Sequence, residues 1–336
     1  MKKILLVLFV AASLIGCKSK NNSNAKKDDA VKYAALISAE ELSKHLHIIA
    51  SDEFEGRQTG EKGQKLAADY LVNFYLEKEI APGNGDSYFQ QIPSSYFNNR
   101  YADSENVMAF IKGSEKPEEV IVVSAHYDHV GMDSDGTIFN GADDDGSGTV
   151  AVMMIAEAFQ QAANEGKRPK RSILFLHVTA EEIGLLGSKF YSENPVYPLK
   201  NTVANLNMDM VGRTDNNFKD DDEYLYLIGA DRLSTELHEL SVAVNEQYTN
   251  LTLDFKYNAE GEPMRLYYRS DHYNFAKHDI PSIFYFNGLH DDYHQPTDTA
   301  DKINYDLLAK RAQFVFHTAW EIANRENRLV VDKPTK

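Results

Sequence analysis

Short apolar strands alternate with helical patterns along most of the chain, and this alternation constrains the fold more than any other feature. The run Val120–Val123 is continuous and β-branched, as expected for a strand that is buried on both faces. An apolar helix is predicted directly after it, over residues 147–163. Further strands are predicted at 173–178, 203–210, 224–228, 251–257 and 282–286, and further helices at 38–49, 61–79, from 184, at 234–248 and at 305–324. The alternation predicts an α/β fold with a mixed, mostly parallel sheet sandwiched between helices.

The first residues predict a lipoprotein signal peptide. Two lysines precede an apolar stretch that ends at Gly16, which is shorter than the roughly 20 residues that a membrane-spanning helix needs. Residues 14–17 (Leu-Ile-Gly-Cys) resemble the lipobox of bacterial lipoproteins. The resemblance implies cleavage before Cys17 and lipidation of its thiol, so residues 1–17 are interpreted as the signal peptide. A plain signal peptide with an incidental cysteine is the alternative.

The rest of the chain is predicted to be a tether followed by one domain. Residues 18–33 are polar and lack periodic apolar positions, so we expect a flexible tether, and no repeat or low-complexity block divides residues 34–336. The formal net charge of −16 argues against nucleic acid and anionic lipid surfaces as partners. We therefore expect contact with a membrane of the bacterial cell envelope through the lipid anchor alone; the sequence does not indicate the oligomeric state.

Imidazole or carboxylate side chains follow almost every predicted strand. Ligands of open α/β sheets bind just beyond the carboxyl ends of the strands, so these side chains are expected to gather at one place. Each of these side chains alone would be an ordinary polar residue at the surface. Gathered together, their like charges would repel one another unless cations neutralised them. The residues concerned are His126, Asp128, His129, Asp143, Asp144, Asp145, Glu181, Glu182, Asp209, His290 and His294.

The order and spacing of these residues resemble those of the M28 family of co-catalytic zinc peptidases. The matching motifs are His-x-Asp at 126–128, Gly-Ala-Asp-Asp-Asp-Gly-Ser-Gly at 141–148, Glu-Glu at 181–182, Asp209 within Asn-Met-Asp-Met, Ser-Asp-His at 270–272, and Tyr-His-Gln-Pro-Thr-Asp-Thr at 293–299. The segment 50–60 is similar to the start of many bacterial members. The resemblance implies the zinc-aminopeptidase (phosphorylase/hydrolase-like) architecture.

The resemblance also implies a ligand set for two zinc ions. His126, Asp144 and Asp209 would hold one ion, while Asp144, Glu182 and His294 would hold the other. Asp143 and Asp145 would then lie outside the ligand set or be solvated. Asp128 is interpreted as the carboxylate partner that orients the His126 imidazole. Two imidazoles and three carboxylates suit zinc, and cobalt or manganese could substitute for it.

The implied function is removal of N-terminal residues from peptides with a free N-terminus. A metal-bridged water would be the nucleophile. Glu181 is not one of the implied ligands and would be the general base. His129, His272 and His290 are expected to be bystanders. Two alternatives remain: a glutaminyl-peptide cyclotransferase with one zinc, which shares this fold, and a catalytically inactive binding lipoprotein. The number of metal ions per chain, which would be two, one or none, separates the three.

Overall fold

Nine strands build one central sheet in the part of the chain that the structure, a computed structural model, describes, which is residues 29–218 and 223–335. The sheet order is β1-β3-β7-β4-β8-β11-β9-β10, with β2 also paired to β3, whereas β5 and β6 form a separate hairpin. The strands are β1 (Ala81–Pro82), β2 (Phe89–Ile92), β3 (Ser104–Ile111), β4 (Lys116–His126), β5 (Gly131–Met132), β6 (Ile138–Phe139), β7 (Arg171–Val178), β8 (Thr202–Met208), β9 (Tyr224–Ile228), β10 (Thr252–Asp254) and β11 (Ser282–Phe286). The central strands β7, β4, β8 and β11 are parallel, which confirms the predicted mixed, mostly parallel sheet.

Helices cover both faces of this sheet. On β4, Ile121 and Val123 belong to one apolar core, whereas Val120 and Val122 belong to another on the opposite face. This division follows from the two-residue period of a strand. The helices are α1 (Ala39–Ile49), α2 (Lys62–Glu77), α3 (Gly148–Asn164), α4 (Leu186–Glu193), α5 (Ala230–Leu233), α6 (Thr235–Tyr248), α7 (Tyr273–Ala276) and α8 (Tyr305–Asn324).

Polar side chains mark the starts of the predicted helices. The Ser38 hydroxyl accepts a hydrogen bond from the backbone N–H of Glu41 at the start of α1, at 3.3 Å. The Asn304 side chain likewise accepts from the N–H of Leu307 at the start of α8. Such caps satisfy backbone donors that have no partner within the helix.

The predicted tether ends earlier than residue 33. Residues 29–34 are helical, and Ala30 and Tyr33 are buried in the main core, where the Tyr33 ring packs on Trp320 at 5.8 Å. The prediction is therefore wrong for residues 29–33, because these apolar side chains have partners distant in sequence. Cys17 and residues 18–28 lie outside the described residues, as does most of the acidic run at 220–223. Among the helices described, none combines the length and apolar character needed to cross a bilayer.

Candidate active site

Four adjacent strands, β7, β4, β8 and β11, end at the same edge of the sheet. They run parallel to one another, so their carboxyl ends and the following loops lie side by side. This is the edge at which parallel sheets bind ligands. The predicted side chains lie there: His126 at the end of β4, Asp144 in the loop before α3, Glu181 and Glu182 after β7, Asp209 after β8, and His294 after β11.

A single carboxylate, that of Asp144, contacts two imidazoles. Its Oδ1 lies 3.2 Å from Nε2 of His126, and its Oδ2 lies 3.0 Å from Nε2 of His294. The His126 nitrogen also faces Oδ1 of Asp209 at 3.6 Å. The His294 nitrogen faces Oε2 of Glu182 at 3.1 Å. The five predicted ligands thus form two groups that share Asp144.

The ring nitrogens at the centre of these groups have no hydrogen-bond partner among the described residues. Nε2 of His126 and Nε2 of His294 are both buried and unbonded. In His126, Nδ1 donates to the backbone carbonyl of Asp128 at 3.1 Å, so the neutral ring presents a lone pair at Nε2. A lone pair that faces carboxylate oxygens is stabilised by a cation between them. Because zinc binds imidazole nitrogen and carboxylate oxygen, the residues present fit such an ion.

Two triads of donors are close enough to hold an ion. The triads are His126 with Asp144 and Glu182, and His126 with Glu181 and Asp209, and the donor atoms within each lie within 4.8 Å of one another. His126 is common to both triads because it lies at the end of the central strand β4. Glu181 therefore lies close to the donor atoms of His126 and Asp209.

Asp128 orients the site through a different atom from the one predicted. Its carboxylate Oδ1 lies 3.8 Å from Nδ1 of His126, beyond hydrogen-bond distance, and its backbone carbonyl makes the bond instead. The predicted carboxylate contact with the imidazole is therefore corrected. The carboxylate itself is fully buried and accepts hydrogen bonds from the Thr59 hydroxyl at 2.9 Å and from the Glu181 N–H at 3.2 Å. Asp128 thus connects the end of β4 to the loop that carries Glu181.

The two neighbours of Asp144 are buried, which agrees with the first of the two predicted alternatives, a place outside the ligand set, and excludes a solvated position. Asp145 accepts from the backbone N–H groups of Met210 at 3.0 Å and His126 at 3.2 Å. Asp143 accepts from the N–H of Gly212 at 2.7 Å and contacts His290. These carboxylates fasten the Asp144 loop to the ends of β4 and β8, which holds the shared ligand in place.

His129 and His290 lie beside carboxylates of the site, as the sequence predicts. Nδ1 of His129 lies 2.9 Å from Oε1 of Glu182, and Nε2 of His290 lies 3.0 Å from Oδ2 of Asp143. That neither takes part in the chemistry of the site stays a prediction. The sequence indicates the position of His129, because this residue directly follows Asp128 after a buried strand. His272, in contrast, is a core residue that packs on Phe284.

Sequence reasoning misses Arg57, which holds the loops of the site together. Its guanidinium is fully buried and binds backbone carbonyls rather than a carboxylate. The only signal is its place in the segment 50–60, whose similarity to family members does not reveal what the side chain binds. The carbonyls belong to Tyr127 at 2.8 Å, Ile49 at 2.9 Å, Asn140 at 2.6 Å and Gly141 at 2.8 Å.

Carboxylates dominate the electrostatics of the site. Burial raises the pKa of Glu181 well above its usual range, and it also raises the pKa of Asp209. Burial alone would lower the pKa of His294, but its contacts with Asp144 and Glu182 outweigh burial and raise that pKa to about 10. Neighbouring carboxylates add to each of these increases in pKa, and the resulting negative potential favours bound cations.

Two cavities adjoin the ligand cluster. The smaller, of about 40 Å³, is bordered by Asp144, Glu181 and Asp209. The larger, of about 380 Å³, is bordered by Glu182 and by residues of two loops. Glu181 lines the smaller cavity and Glu182 the larger one, so the loop that carries both residues lies between the two cavities. The remaining lining of the smaller cavity is mostly apolar and consists of Met210, Leu266, Arg269, Phe284, Phe286, Leu289 and Tyr293.

Curated proteins with similar sequences include aminopeptidases. The probable leucine aminopeptidase of Arthroderma otae is 28% identical over 226 residues, which cover 65% of this chain and 57% of that protein. Aminopeptidase YwaD of Bacillus subtilis is 26% identical over 233 residues, which cover 67% of this chain and 46% of that protein. The chain thus spans about half the length of these relatives.

A solved structure with a similar fold and a match to a family model agree with these sequence similarities. The LapA aminopeptidase of Legionella pneumophila has a TM-score of 0.69 to this structure at 20% identity, over 90% of this chain and 76% of that one. This likeness confirms the predicted zinc-aminopeptidase architecture. Residues 106–319 match the sequence model of peptidase family M28, and this range includes all five predicted ligands and Glu181. Since this match covers more than half of the sequence, the chain belongs to peptidase family M28.

Proposed function

We propose that this protein is a two-zinc aminopeptidase of the cell envelope. The observation that carries the proposal is the Asp144 carboxylate, whose two oxygens face different imidazoles, those of His126 and His294. With Asp209 on one side and Glu182 on the other, each ion would have three protein ligands. Catalytic zinc sites use three such ligands and leave a position open for water or substrate. Cobalt or manganese could occupy the same donors.

Glu181 is the residue that would move the proton. Zinc ions, when bound, would supply the Lewis acidity that activates water and polarises the scissile carbonyl. The Glu181 carboxylate would accept the proton of the attacking water and return it to the nitrogen of the leaving amine. Its backbone N–H is already held by Asp128 at 3.2 Å, so its position does not depend on the substrate.

The smaller cavity suits the first residue of a peptide. The carboxylates of Asp144, Glu181 and Asp209 at its border would attract an α-ammonium group, and burial strengthens such an attraction. Its apolar wall, which includes Phe284 and Phe286, would receive an apolar side chain. A cavity of about 40 Å³ leaves no room for a preceding residue. These features support cleavage after one residue from the N-terminus.

Metal content and products test this function together. Metal analysis of protein reconstituted with zinc should give two ions per chain, whereas one ion would favour the cyclotransferase and none the inactive lipoprotein. A peptide with a free N-terminus should lose one residue at a time. Acetylation of the same peptide should lower kcat/KM at least about tenfold, equivalent to roughly 1.4 kcal/mol of transition-state binding. Equal cleavage of the acetylated peptide, or internal fragments first, would contradict an exopeptidase.

The location in the cell envelope is proposed from the sequence alone. Cys17 follows the apolar N-terminal stretch in a lipobox-like context. The variant Cys17→Ser should leave the membrane fraction while its specific activity stays unchanged. Detergent-dependent membrane association of that variant would contradict lipidation.

A further inference from the structure

The larger cavity beside the ligand cluster carries a cationic side chain. It measures about 380 Å³ and is lined by Glu182, Ile183 and Leu186 on one side and by residues of the segment Phe97–Tyr101 on the other. This volume falls within the range of about 300–1,000 Å³ that is typical of small-molecule sites. Arg100 is the one cationic residue in its lining.

Arg100 is an exposed residue at the edge of this cavity, and its guanidinium has no partner within residues 29–218 and 223–335. It forms neither an ion pair nor a side-chain hydrogen bond there. The carboxylate that shares the cavity, Glu182, is engaged elsewhere, with His129 at 2.9 Å and His294 at 3.1 Å. A guanidinium offers several N–H donors in a planar array that matches a carboxylate. The cavity therefore presents an uncommitted carboxylate-binding group beside the proposed metal ligands.

The backbone that carries Arg100 is fixed relative to the loop of Glu181 and Glu182. The N–H of Arg100 donates to the Phe97 carbonyl at 3.1 Å, and the Ser94 hydroxyl donates to the Tyr101 carbonyl at 2.6 Å. Phe97 is buried in an apolar cluster with Ala180, which directly precedes Glu181. The fold therefore sets where the backbone of Arg100 lies relative to the loop of Glu181 and Glu182.

A substrate held by its N-terminus in the smaller cavity would extend past the metal ligands, and the larger cavity borders one of these ligands, Glu182. In the proposed function the α-amine and first side chain occupy the smaller cavity, whose border includes Glu181. The residues released by cleavage then lie across the loop, beside Glu182. Two residues of extended chain span about 7 Å, which is the scale of a compact cavity of this volume.

We propose that the larger cavity binds the released portion of short peptides and that Arg100 recognises their C-terminal carboxylate. This inference rests on the proposed function and narrows its substrates to peptides of two or three residues. The terminal carboxylate of such a peptide falls beside the guanidinium, whereas a longer peptide carries its carboxylate out of the cavity. Arg100 is a specificity-determining residue in this arrangement and takes no part in bond cleavage.

The test compares the tripeptide Leu-Ala-Ala with its C-terminal amide and with leucine p-nitroanilide, which has no carboxylate. In the zinc-loaded parent, kcat/KM should be about tenfold higher for the acid than for the amide, as expected for a hydrogen bond to a charged group. The variant Arg100→Gln should bring this ratio close to one, and Arg100→Lys should give an intermediate value. Turnover of leucine p-nitroanilide, which has no carboxylate, should fall less than that of the acid in both variants.

A charge-matched control is Lys44→Gln, which removes an exposed cation from α1 and should keep the ratio of the parent. A ratio near one in the parent, or the same ratio in Arg100→Gln as in the parent, overturns the inference. Activity on leucine p-nitroanilide would then show that the proposed function survives. If no substrate, including leucine p-nitroanilide, is hydrolysed, the proposed function fails and this inference fails with it.

Discussion

The carboxylate of Asp128 accepts a hydrogen bond from the backbone N–H of Glu181, at 3.2 Å. Its other oxygen accepts from the Thr59 hydroxyl at 2.9 Å. Through these two bonds, a fully buried carboxylate on the end of β4 fixes the start of the loop that carries the proposed base. Asp128 is thus a positioning residue, which acts on Glu181 through the backbone and on His126 through its own carbonyl.

The first prediction concerns this positioning role. Asp128→Asn should lower kcat/KM about 10–100-fold, because partners of this kind typically contribute that much. Each carboxylate oxygen of Asp128 accepts one hydrogen bond, whereas asparagine replaces one of these oxygens with an amide group that donates. Thr59→Val should give a smaller loss and Thr59→Ser almost none, since serine keeps the hydroxyl. Steady-state kinetics with metal analysis checks this. Turnover of Asp128→Asn within twofold of the parent would remove the positioning role.

Glu181→Gln should keep both metal ions but lower kcat by about 10²–10⁴-fold, the usual contribution of a general base. Glutamine has nearly the same shape and can still accept hydrogen bonds, but it does not take up a proton at neutral pH. Glu53→Gln, which alters an exposed carboxylate, is the matched control. Near-normal turnover of Glu181→Gln with normal metal content would exclude this residue as the base.

A third prediction concerns a buried chain of hydrogen bonds that ends at a proposed ligand. The Ser270 hydroxyl donates to Oδ2 of Asp209 at 2.6 Å, and the Asn207 amide donates to Ser270 at 2.8 Å. This leaves Oδ1 of Asp209 directed at His126. Ser270→Ala should therefore weaken metal affinity about 10–100-fold. Competition with a chelator measures the effect, and the buried Ser241→Ala on α6, which loses a bond to the Leu237 carbonyl, should not show it.

Arg57 is expected to be a large determinant of stability. Arg57→Met would remove the guanidinium donor from four carbonyls, three of them buried, so the free energy of unfolding should fall by more than about 3 kcal/mol. Urea unfolding of the chelated proteins measures the change without the contribution of metal. Arg168→Met, at an exposed arginine with one long bond to a carbonyl, should change stability by less than about 0.5 kcal/mol. Similar losses in both variants would argue against the bracing role of Arg57.

The centre of the fold can be predicted from the sequence because its strands carry their own signal. β4, β7 and β11 each contain a continuous apolar run, and β11 and α8 have the predicted bounds, Ser282–Phe286 and Tyr305–Asn324. β3 lacks such a signal, since it begins with three polar residues that are nevertheless buried. One of them, Asn106, donates to Gln90 and to the Gly187 carbonyl, and these partners are distant in the chain.

The same distinction applies to the site. Topology predicts that the polar side chains gather at one edge of the sheet, because most of them follow a strand, and the resemblance to the M28 family singles out the five ligands among them. The atoms that orient them depend on backbone geometry, which explains why the Asp128 carbonyl rather than its carboxylate contacts His126. The role of Arg57 cannot be predicted for the same reason, because every residue has a backbone carbonyl and the partners of the guanidinium leave no pattern in the sequence.

The last prediction concerns stability at mild acidity. His177 is fully buried within β7, and its Nε2 lies 2.6 Å from the Tyr75 hydroxyl. Burial lowers the pKa of His177 to about 3, compared with about 6.5 in an unfolded chain. Between these values the unfolded state binds more protons, so the contribution of His177 to stability is complete above pH 6.5 and is lost as the pH falls below it.

The variant His177→Gln should therefore flatten the pH dependence of stability. Glutamine can still hydrogen-bond to Tyr75 but does not titrate. Between pH 7.5 and pH 5 the parent should lose about 2 kcal/mol more free energy of unfolding than the variant, which is roughly 1.4 kcal/mol per pH unit below 6.5. Urea unfolding at a series of pH values, with chelator present so that the metal ligands contribute equally to both proteins, measures this difference. His317→Gln should act in the same direction, because burial lowers the pKa of His317 to about 4. Parallel stability curves for the parent and His177→Gln would mean that the imidazole is protonated within the fold at pH 5.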